Sequence, residues 1–306
     1  MRWTPPYSCV AVLFIEGLGC LAVSNPSTRS ISDCFVQPDE ATLEDQRSLI
    51  SNYRIKTIID LRSKYPRQSL RCCPRLLTGG TRTEHVQQGR KHDAKLRDTT
   101  ALLPSESAIA PLKIPNVCYH DISLNGSSYE MLLLKRLRYS SLAKLITLMV
   151  LGRRTEAIAI LGNEVIQPRG LVGQATDVID SSATELKQIF HVLADAQYPI
   201  FFHCTSGKDR TGLVAFILLM ILDVPLHVVS VDYMASQGEL ASERLLRTEE
   251  LRAMGLSDDF ADCPPHWASD VHRHITETYG SCQAYLDRTG ISEALRHKIR
   301  SNLLQE

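Results

Sequence analysis

Residues 199–212 read Pro-Ile-Phe-Phe-His-Cys-Thr-Ser-Gly-Lys-Asp-Arg-Thr-Gly. Residues 200–203 predict a short buried strand, and the apolar run 213–222 predicts a helix that begins directly after the loop. A strand, a tight polar loop and a helix in this order direct backbone N–H groups at a bound anion. The stretch therefore predicts an anion-binding loop within an α/β fold.

The two ends of this loop carry a nucleophile and a cation. Cys204 begins the loop, where the positive field of such a site favours the thiolate form. Arg210 ends the loop, and its planar guanidinium can bind two phosphate oxygens. Gly207 allows the backbone to turn closely around the anion, and Thr211 can offer its hydroxyl to the sulfur. These residue types in one loop predict nucleophilic attack on a phosphate ester.

The order His-Cys, five residues, Arg-Thr resembles the signature loop of cysteine-dependent phosphatases. The longer form, His-Cys-Thr-Ser-Gly-Lys-Asp-Arg-Thr-Gly, is similar to that of the tyrosine/serine protein phosphatase family of bacteria and fungi. Members of that family act on phosphotyrosine and phosphoinositides. The resemblance continues in residues 55–63, Ile-Lys-Thr-Ile-Ile-Asp-Leu-Arg-Ser, and in the closing segment 276–304. It covers about residues 32–66 and 115–304.

Other uses of such a loop fit the residues less well. A P-loop nucleotide-binding site is excluded because Asp209 follows the Gly-Lys pair, where Ser or Thr is required, and Phe202 replaces the first glycine. A sulfur transferase requires a shorter loop between the cysteine and the arginine. A buried cysteine beside an unrelated arginine leaves the other matching positions unexplained.

The resemblance implies hydrolysis of a phosphate monoester through a cysteinyl-phosphate intermediate, without a metal or an organic cofactor. Cys204 would attack phosphorus, while Arg210 and the backbone N–H groups of residues 205–210 would hold the equatorial oxygens. His203 would orient the loop, and Thr211 would stabilise the sulfur. The predicted phosphate-binding residues are Thr205, Ser206, Gly207, Lys208, Asp209 and Arg210.

A proton donor for the leaving oxygen is required because a bare alkoxide leaves poorly. Asp209 is our first candidate, since the Gly-Lys-Asp-Arg form suggests that this family places its acid inside the loop. Asp177 or Asp180, expected on a loop before the next helix, remain alternatives, as does a purely structural Asp209. For Lys208 we consider a mobile charge at the rim that widens substrate choice, or a charge that only offsets Asp209.

Two further polar pairs end predicted strands. Asp60 and Arg62 follow a β-branched run and either brace each other or support the phosphate site. His120 and Asp121 end a second predicted strand and are interpreted as structural rather than as a catalytic pair.

Composition narrows the possible partners and location. The chain has 306 residues, 44% hydrophobic and 22% charged, with a formal net charge of zero. Zero net charge argues against a nucleic-acid partner, and the expected partner is a phosphorylated protein or a phosphoinositide. No run reaches the length of a membrane span. Nine scattered cysteines fit a reducing compartment, so we expect a cytoplasmic protein, with a weak signal-peptide pattern in residues 1–24 as the alternative.

The predicted architecture is a mostly parallel central sheet flanked by helices, like that of a cysteine phosphatase. Residues 1–30 form a poorly defined segment and residues 31–306 the phosphatase domain, with a surface insertion at 67–111. Helices in 129–175 form a lid over the site or belong to the ordinary core. Ser182 and Glu185 predict a capping box before an amphipathic helix. Two rival functions remain, a phosphoinositide phosphatase and a non-catalytic phosphate-binding scaffold.

Overall fold

The computed structural model describes residues 43–62, 114, 116–240 and 244–304, together with the strand backbone of 11–13 and 20–21. The predicted insertion at 67–111 and most of the segment 1–30 lie outside the described residues. The strands are β1 Ala11–Leu13, β2 Cys20–Leu21, β3 Thr57–Asp60, β4 Cys118–Asp121 and β5 Ile200–His203. The helices before β5 are α1 Leu43–Ser51, α2 Ser127–Arg136, α3 Tyr139–Val150, α4 Arg154–Leu161, α5 Gln167–Ser181 and α6 Ala183–Asp195. Those after β5 are α7 Asp209–Ile221, α8 Leu226–Glu239, α9 Arg244–Ala253, α10 Trp267–Tyr279, α11 Cys282–Thr289 and α12 Glu293–Leu304. A π-helical turn at Gly162–Ile166 and a 3₁₀ turn at Asp258–Ala261 complete the elements.

The strands form one sheet in the order β2-β1-β5-β3-β4. Strands β5, β3 and β4 are parallel, which confirms the predicted α/β class, whereas β1 pairs antiparallel with both β2 and β5. Every residue of β3 and β5 is buried. Such strands read as continuous apolar runs because helices cover both faces of a parallel sheet.

Two helices beside β5 illustrate how sequence pattern becomes packing. Helix α6 buries Leu186, Ile189, Phe190 and Leu193 completely on one face, as its periodicity predicts. Helix α7 is apolar on all sides and is buried nearly throughout, including Leu213, Val214, Phe216, Ile217, Leu218, Leu219 and Ile221. A helix without a polar face belongs to the interior, so α7 is a fixed base for the loop at its N-terminus.

The predicted capping box at the start of α6 is wrong. Ser182 makes no side-chain cap hydrogen bond, and its hydroxyl is buried with no partner among the described residues. Helix α5 runs to Ser181, and the Ser182 N–H donates to the carbonyl of Val178. The backbone at Ser182, with φ −107° and ψ 33°, lacks the extended conformation that an N-cap serine needs to reach the first turn.

The segment predicted as a possible lid is helical, and it forms α2 to α5. Helix α3 buries Leu145 and Leu148 while Tyr139, Ile146 and Val150 are exposed by 92%, 54% and 82%. Gly162 in the π-helical turn allows close packing, because a Cβ there would lie 1.8 Å from the carbonyl oxygen of Met254. That these helices cover the active site stays a prediction.

Membrane spans and cysteine pairing can be assessed only for the described part of the chain. None of its helices is both long and apolar enough to cross a membrane. Cys204, Cys263 and Cys282 are free, buried thiols.

Candidate active site

Strand β5 delivers the predicted nucleophile to the carboxyl end of the sheet. The parallel register sets His203 opposite Asp60, and the N–H of Leu61 donates to the carbonyl of His203 at 2.9 Å. Cys204 follows immediately and is only 2% exposed. Polar residues that end neighbouring parallel strands meet at one edge of the sheet, which is where α/β proteins bind ligands.

The loop turns from β5 into α7 through Gly207, whose φ of +64° is the left-handed conformation that favours glycine. Lys208 is the N-cap of α7, and the N–H of Gly212 donates to its carbonyl at 2.8 Å. The N–H groups ahead of Gly212 in the first turn lack carbonyl partners within the helix. The positive end of α7 is therefore directed at the loop, as an anion site requires.

Arg210 spans the loop. Its Nη2 donates to Oγ1 of Thr205 at 2.9 Å, so the guanidinium of the last loop residue reaches the first residue after the cysteine. Thr211 is buried, and its hydroxyl has no hydrogen-bond partner among the described residues. That hydroxyl is thus available to the sulfur of Cys204, although their bond stays a prediction.

His203 and Asp60 support the strand ends from inside. Nδ1 of His203 donates to the carbonyl of Cys204 at 3.1 Å, and its ring stacks on Phe201. Arg62 donates to Asp60 from Nε at 2.9 Å and from Nη2 at 2.7 Å. Burial alone would raise the pKa of Asp60, but hydrogen bonds from Arg62 and the charges of His203 and Arg62 hold it below its ordinary value. This geometry fits the bracing interpretation of Asp60 and Arg62.

The three candidate acids differ in their availability. Asp177 is 1% exposed and forms ion pairs with Arg136 and Arg169. Asp180 accepts hydrogen bonds from Nε2 of His274 at 2.9 Å and from the hydroxyl of Tyr279 at 2.8 Å. Both lie on helix α5 rather than on the expected loop, because α5 continues to Ser181.

Asp209 keeps part of its carboxyl group accessible, in contrast to the buried Asp177. Its side chain is 37% exposed, and Oδ1 lies 3.3 Å from Nζ of Lys208 without hydrogen-bond geometry. Since Oδ1 is buried, the exposed part of the carboxyl group is Oδ2. Asp180 is exposed to a similar extent, 36%, and both of its hydrogen bonds go to Oδ1, so Asp209 is distinguished from it by its place beside Arg210 in the predicted phosphate loop.

The hypothesis that Lys208 places a mobile charge at the rim of the loop is wrong. Its side chain is fully buried, and Nζ donates to the carbonyl oxygens of Phe260 at 2.8 Å and Asp262 at 2.7 Å. Burial of an ammonium requires hydrogen-bond acceptors and an opposite charge, and here the two carbonyls accept hydrogen bonds while the Asp209 carboxylate lies nearby as the opposite charge. Of Lys208, only the backbone N–H remains available to a bound phosphate.

His120 and Asp121 lie on the edge strand β4. Nε2 of His120 is 3.5 Å from Sγ of Cys118, and burial lowers the pKa of His120 while the charge of Asp121 opposes the shift. No cluster of three or more His, Cys, Asp or Glu side chains suited to a metal occurs within residues 43–62 and 116–304 as far as these are described.

Comparison with known proteins agrees with this geometry. The family model described as "Tyrosine phosphatase family" matches residues 36–305. The chain belongs to the tyrosine phosphatase family. It is similar to the triple specificity protein phosphatase PtpB of Mycobacterium tuberculosis, with 29% identity over 39% of this chain and 48% of that protein. It is also similar to a tyrosine-protein phosphatase of Nostoc commune, with 28% identity over 40% of this chain and 46% of that protein. The aligned region thus spans about half the length of each of these curated relatives.

Tyr129 is a neighbour of the candidate site that our sequence analysis missed. Burial raises the pKa of Tyr129 to about 12, and the charges of Asp177, Arg136 and Arg210 also act on its hydroxyl. Tyr129 therefore lies within electrostatic reach of both the loop and Asp177. The sequence around Tyr129 offers no local signal for this, because Asp177 and Arg210 come from distant parts of the chain.

Proposed function

We propose that the chain is a cysteine-dependent phosphatase that hydrolyses phosphotyrosine, and also phosphoserine, in proteins. One observation carries the proposal. Cys204 at the end of β5 opens a loop that leads into the N-terminus of α7, and Arg210 reaches across this loop to Thr205. Family membership and the similarity to two proteins named as phosphatases support the same reaction.

The first step transfers the phosphoryl group to sulfur. The thiolate of Cys204 attacks phosphorus, forming the S–P bond as the P–O bond to the leaving group breaks. The leaving oxygen takes a proton from Asp209, which avoids the release of an alkoxide. Arg210 and the N–H groups of residues 205–210 bind the equatorial oxygens, where charge is concentrated in the transition state.

The second step returns the thiolate. Water attacks phosphorus and gives a proton to the Asp209 carboxylate, the S–P bond breaks, and phosphate leaves. Thr211 stabilises the sulfur as it departs. The side chains present in the loop supply every proton transfer in this sequence, and His203 only orients the loop.

The alternative substrate is a phosphoinositide, for which we expected Lys208 to bind a second phosphate. The ammonium group of Lys208 is buried and cannot make that contact from the rim of the loop. A non-catalytic phosphate-binding scaffold would not need a thiol at position 204. A cytoplasmic location and the lack of a nucleic-acid partner also remain parts of the proposal. Fractionation of cells that express the chain tests the location.

The test measures turnover of aryl phosphates, phosphotyrosine and phosphoserine peptides, and phosphoinositides, with metals chelated. Cys204→Ser should lower turnover by about a thousandfold or more while phosphate binding persists, because only the nucleophile is lost. Cys282→Ser, another buried free thiol, is the matched control and should retain activity. Trapping the intermediate by rapid quench should place the phosphoryl group on Cys204. Residual turnover within about tenfold of wild type would exclude the covalent mechanism.

A further inference from the structure

Among the charged side chains of the described residues, that of Lys208 has the smallest exposed fraction, 0%. Its three oxygen neighbours are the carbonyls of Phe260 and Asp262, at 2.8 and 2.7 Å, and Oδ1 of Asp209, at 3.3 Å. Two of the three N–H donors of this ammonium are hydrogen-bonded to carbonyls, and the Asp209 carboxylate supplies an opposite charge. The two carbonyls lie 52 and 54 residues further along the chain, so Lys208 ties the phosphate loop to a remote segment.

That remote segment is itself held from behind. Nε2 of Gln237 on α8 donates to Oδ1 of Asp262 at 2.9 Å, and Oε1 of Gln237 accepts from the N–H of Cys263 at 2.5 Å. Arg244 on α9 pairs with the same Asp262 carboxylate. Hydrogen bonds from Arg244 and then Gln237 hold the pKa of Asp262 below its ordinary value. The segment therefore has a fixed position when it receives Lys208.

We infer that Lys208, Asp262 and Gln237 are positioning residues for the phosphatase reaction, which together set the phosphate loop and the direction of the Asp209 carboxylate. We call them the Lys208 network. The inference rests on the proposed function, and it assigns no contact between the side chain of Lys208 and the substrate phosphate. The carbonyl oxygen of Phe260 completes the network as a backbone acceptor.

Two consequences of the geometry support this role. Lys208 is the N-cap of α7, between the turn at Gly207 and Asp209, so fixing its side chain also fixes the backbone that presents the N–H groups of Asp209 and Arg210. Its positive charge draws Oδ1 of Asp209 inward. Oδ2 is left at the surface, as the oxygen that delivers the proton.

A positioning role and a substrate-binding role predict different kinetics. If Lys208 bound a second phosphate, removing it would raise KM for multiply phosphorylated substrates only. If Lys208 positions the loop, Lys208→Met should lower kcat on every substrate, by about a hundredfold for the poorest leaving groups, because small misplacements of reacting groups are that costly. KM for the aryl phosphates should stay within about threefold, and the loss should grow with the pKa of the leaving group, since Asp209 no longer delivers its proton well.

The experiment compares wild type, Lys208→Met, Gln237→Leu and the double variant on aryl phosphates of graded leaving-group pKa. Gln237→Leu should lower kcat about tenfold with the same dependence on leaving group, and the double variant should be no worse than Lys208→Met, as expected for one coupled unit. Arg252→Ala removes an exposed ion pair with Asp258 on the same segment and is the matched control, with unchanged kinetics. Thermal unfolding of each variant measures how much folded protein remains. A loss of folded protein lowers kcat equally for all leaving groups, whereas a misplaced Asp209 changes the dependence on leaving-group pKa.

Several outcomes would overturn the inference. Additive losses in Lys208→Met and Gln237→Leu would show that the two residues do not act as a unit. An effect confined to KM for multiply phosphorylated substrates would make Lys208 a substrate ligand. If Lys208→Met does not fold, Gln237→Leu alone still decides, since a normal kcat for that variant contradicts the network. If the wild type turns over substrate and the variants are as active as it is, the inference is rejected but the proposed function stands. If the wild type has no turnover, the proposed function is rejected as well.

Discussion

The phosphate loop and the middle of helix α5 each place an aspartate beside basic side chains, with opposite results. Asp177 on α5 is buried and holds two arginines, Arg136 and Arg169, so both of its oxygens are engaged. Asp209 in the loop is near one buried ammonium and keeps part of its carboxyl group exposed. The comparison teaches that an acid becomes available for proton transfer when its partners leave one oxygen free, not merely when a cation is near.

Substituting the arginines of the two regions should produce the largest difference in kcat/KM. Arg210→Lys should reduce kcat/KM by about a thousandfold, because an ammonium cannot bind two equatorial oxygens at once as the planar guanidinium does. Arg169→Lys, the same change at the α5 aspartate, is the control and should alter kcat/KM less than about threefold, since its partner is a carboxylate and not substrate. Steady-state kinetics on a phosphotyrosine peptide measure both. Near-normal kinetics for Arg210→Lys would show that Arg210 does not bind the substrate phosphate, which contradicts the proposed difference between the two regions.

The aspartates themselves sharpen the comparison. Asp209→Asn should slow phenyl phosphate about a hundredfold but spare substrates whose leaving group departs without a proton. The basic limb of the pH–rate profile should flatten, while the acidic limb of intermediate formation should persist because the thiolate remains. Asp177→Asn should instead lower the free energy of unfolding by about 2 kcal/mol, because two arginines lose their shared partner. Kinetics and denaturant unfolding on both variants separate these effects.

The assignment of the acid would move to α5 under the opposite pattern. That pattern is an equal loss for all leaving groups in Asp209→Asn, together with a graded loss in Asp177→Asn or in Asp180→Asn.

A third aspartate completes the series. Asp232 on α8 has no hydrogen bond or ion pair among the described residues, and burial raises its pKa from 3.8 to about 6. A raised acid pKa means that ionisation destabilises the fold, fully above about pH 6 and not at all below pH 3.8. Asp232→Asn should therefore stabilise the protein by about 2 kcal/mol at pH 7. The gain should vanish as the pH falls to about 4 in thermal unfolding, and a gain independent of pH would contradict the burial argument.

The chemistry of the loop could be predicted because its residues are neighbours in the chain. The chain turns at Gly207, with a φ of +64°, Cys204 follows the strand, and Arg210 lies in the first turn of α7. The buried face of α6 was equally predictable, since a helical period repeats within a few residues. The capping box at Ser182 failed because a motif assumes a free helix start, and α5 leaves too little chain for one.

The side-chain environments of Lys208 and Asp177 could not be predicted in this way. An exposed lysine at the rim and a buried one have the same sequence neighbours, and only the 3₁₀ turn at Asp258–Ala261 and the residue after it decide between them. Asp177 finds Arg136 from another helix, 41 residues earlier. Such partners are set by how elements pack, and packing depends on the whole core rather than on any local pattern.

By itself, the sequence predicted a strand, a tight polar loop and a helix, with Cys204 and Arg210 at the two ends of the loop, since strand, turn and helix preferences act over a few residues. The tertiary structure alone decided which charged groups remain free to act. Packing buried the Lys208 side chain against two distant carbonyls and paired Asp177 with two arginines. It left the Asp209 side chain 37% exposed. The physical reason is that the state of a charge depends on its solvation and on its partners within a few ångströms, and both are set only when distant segments pack together.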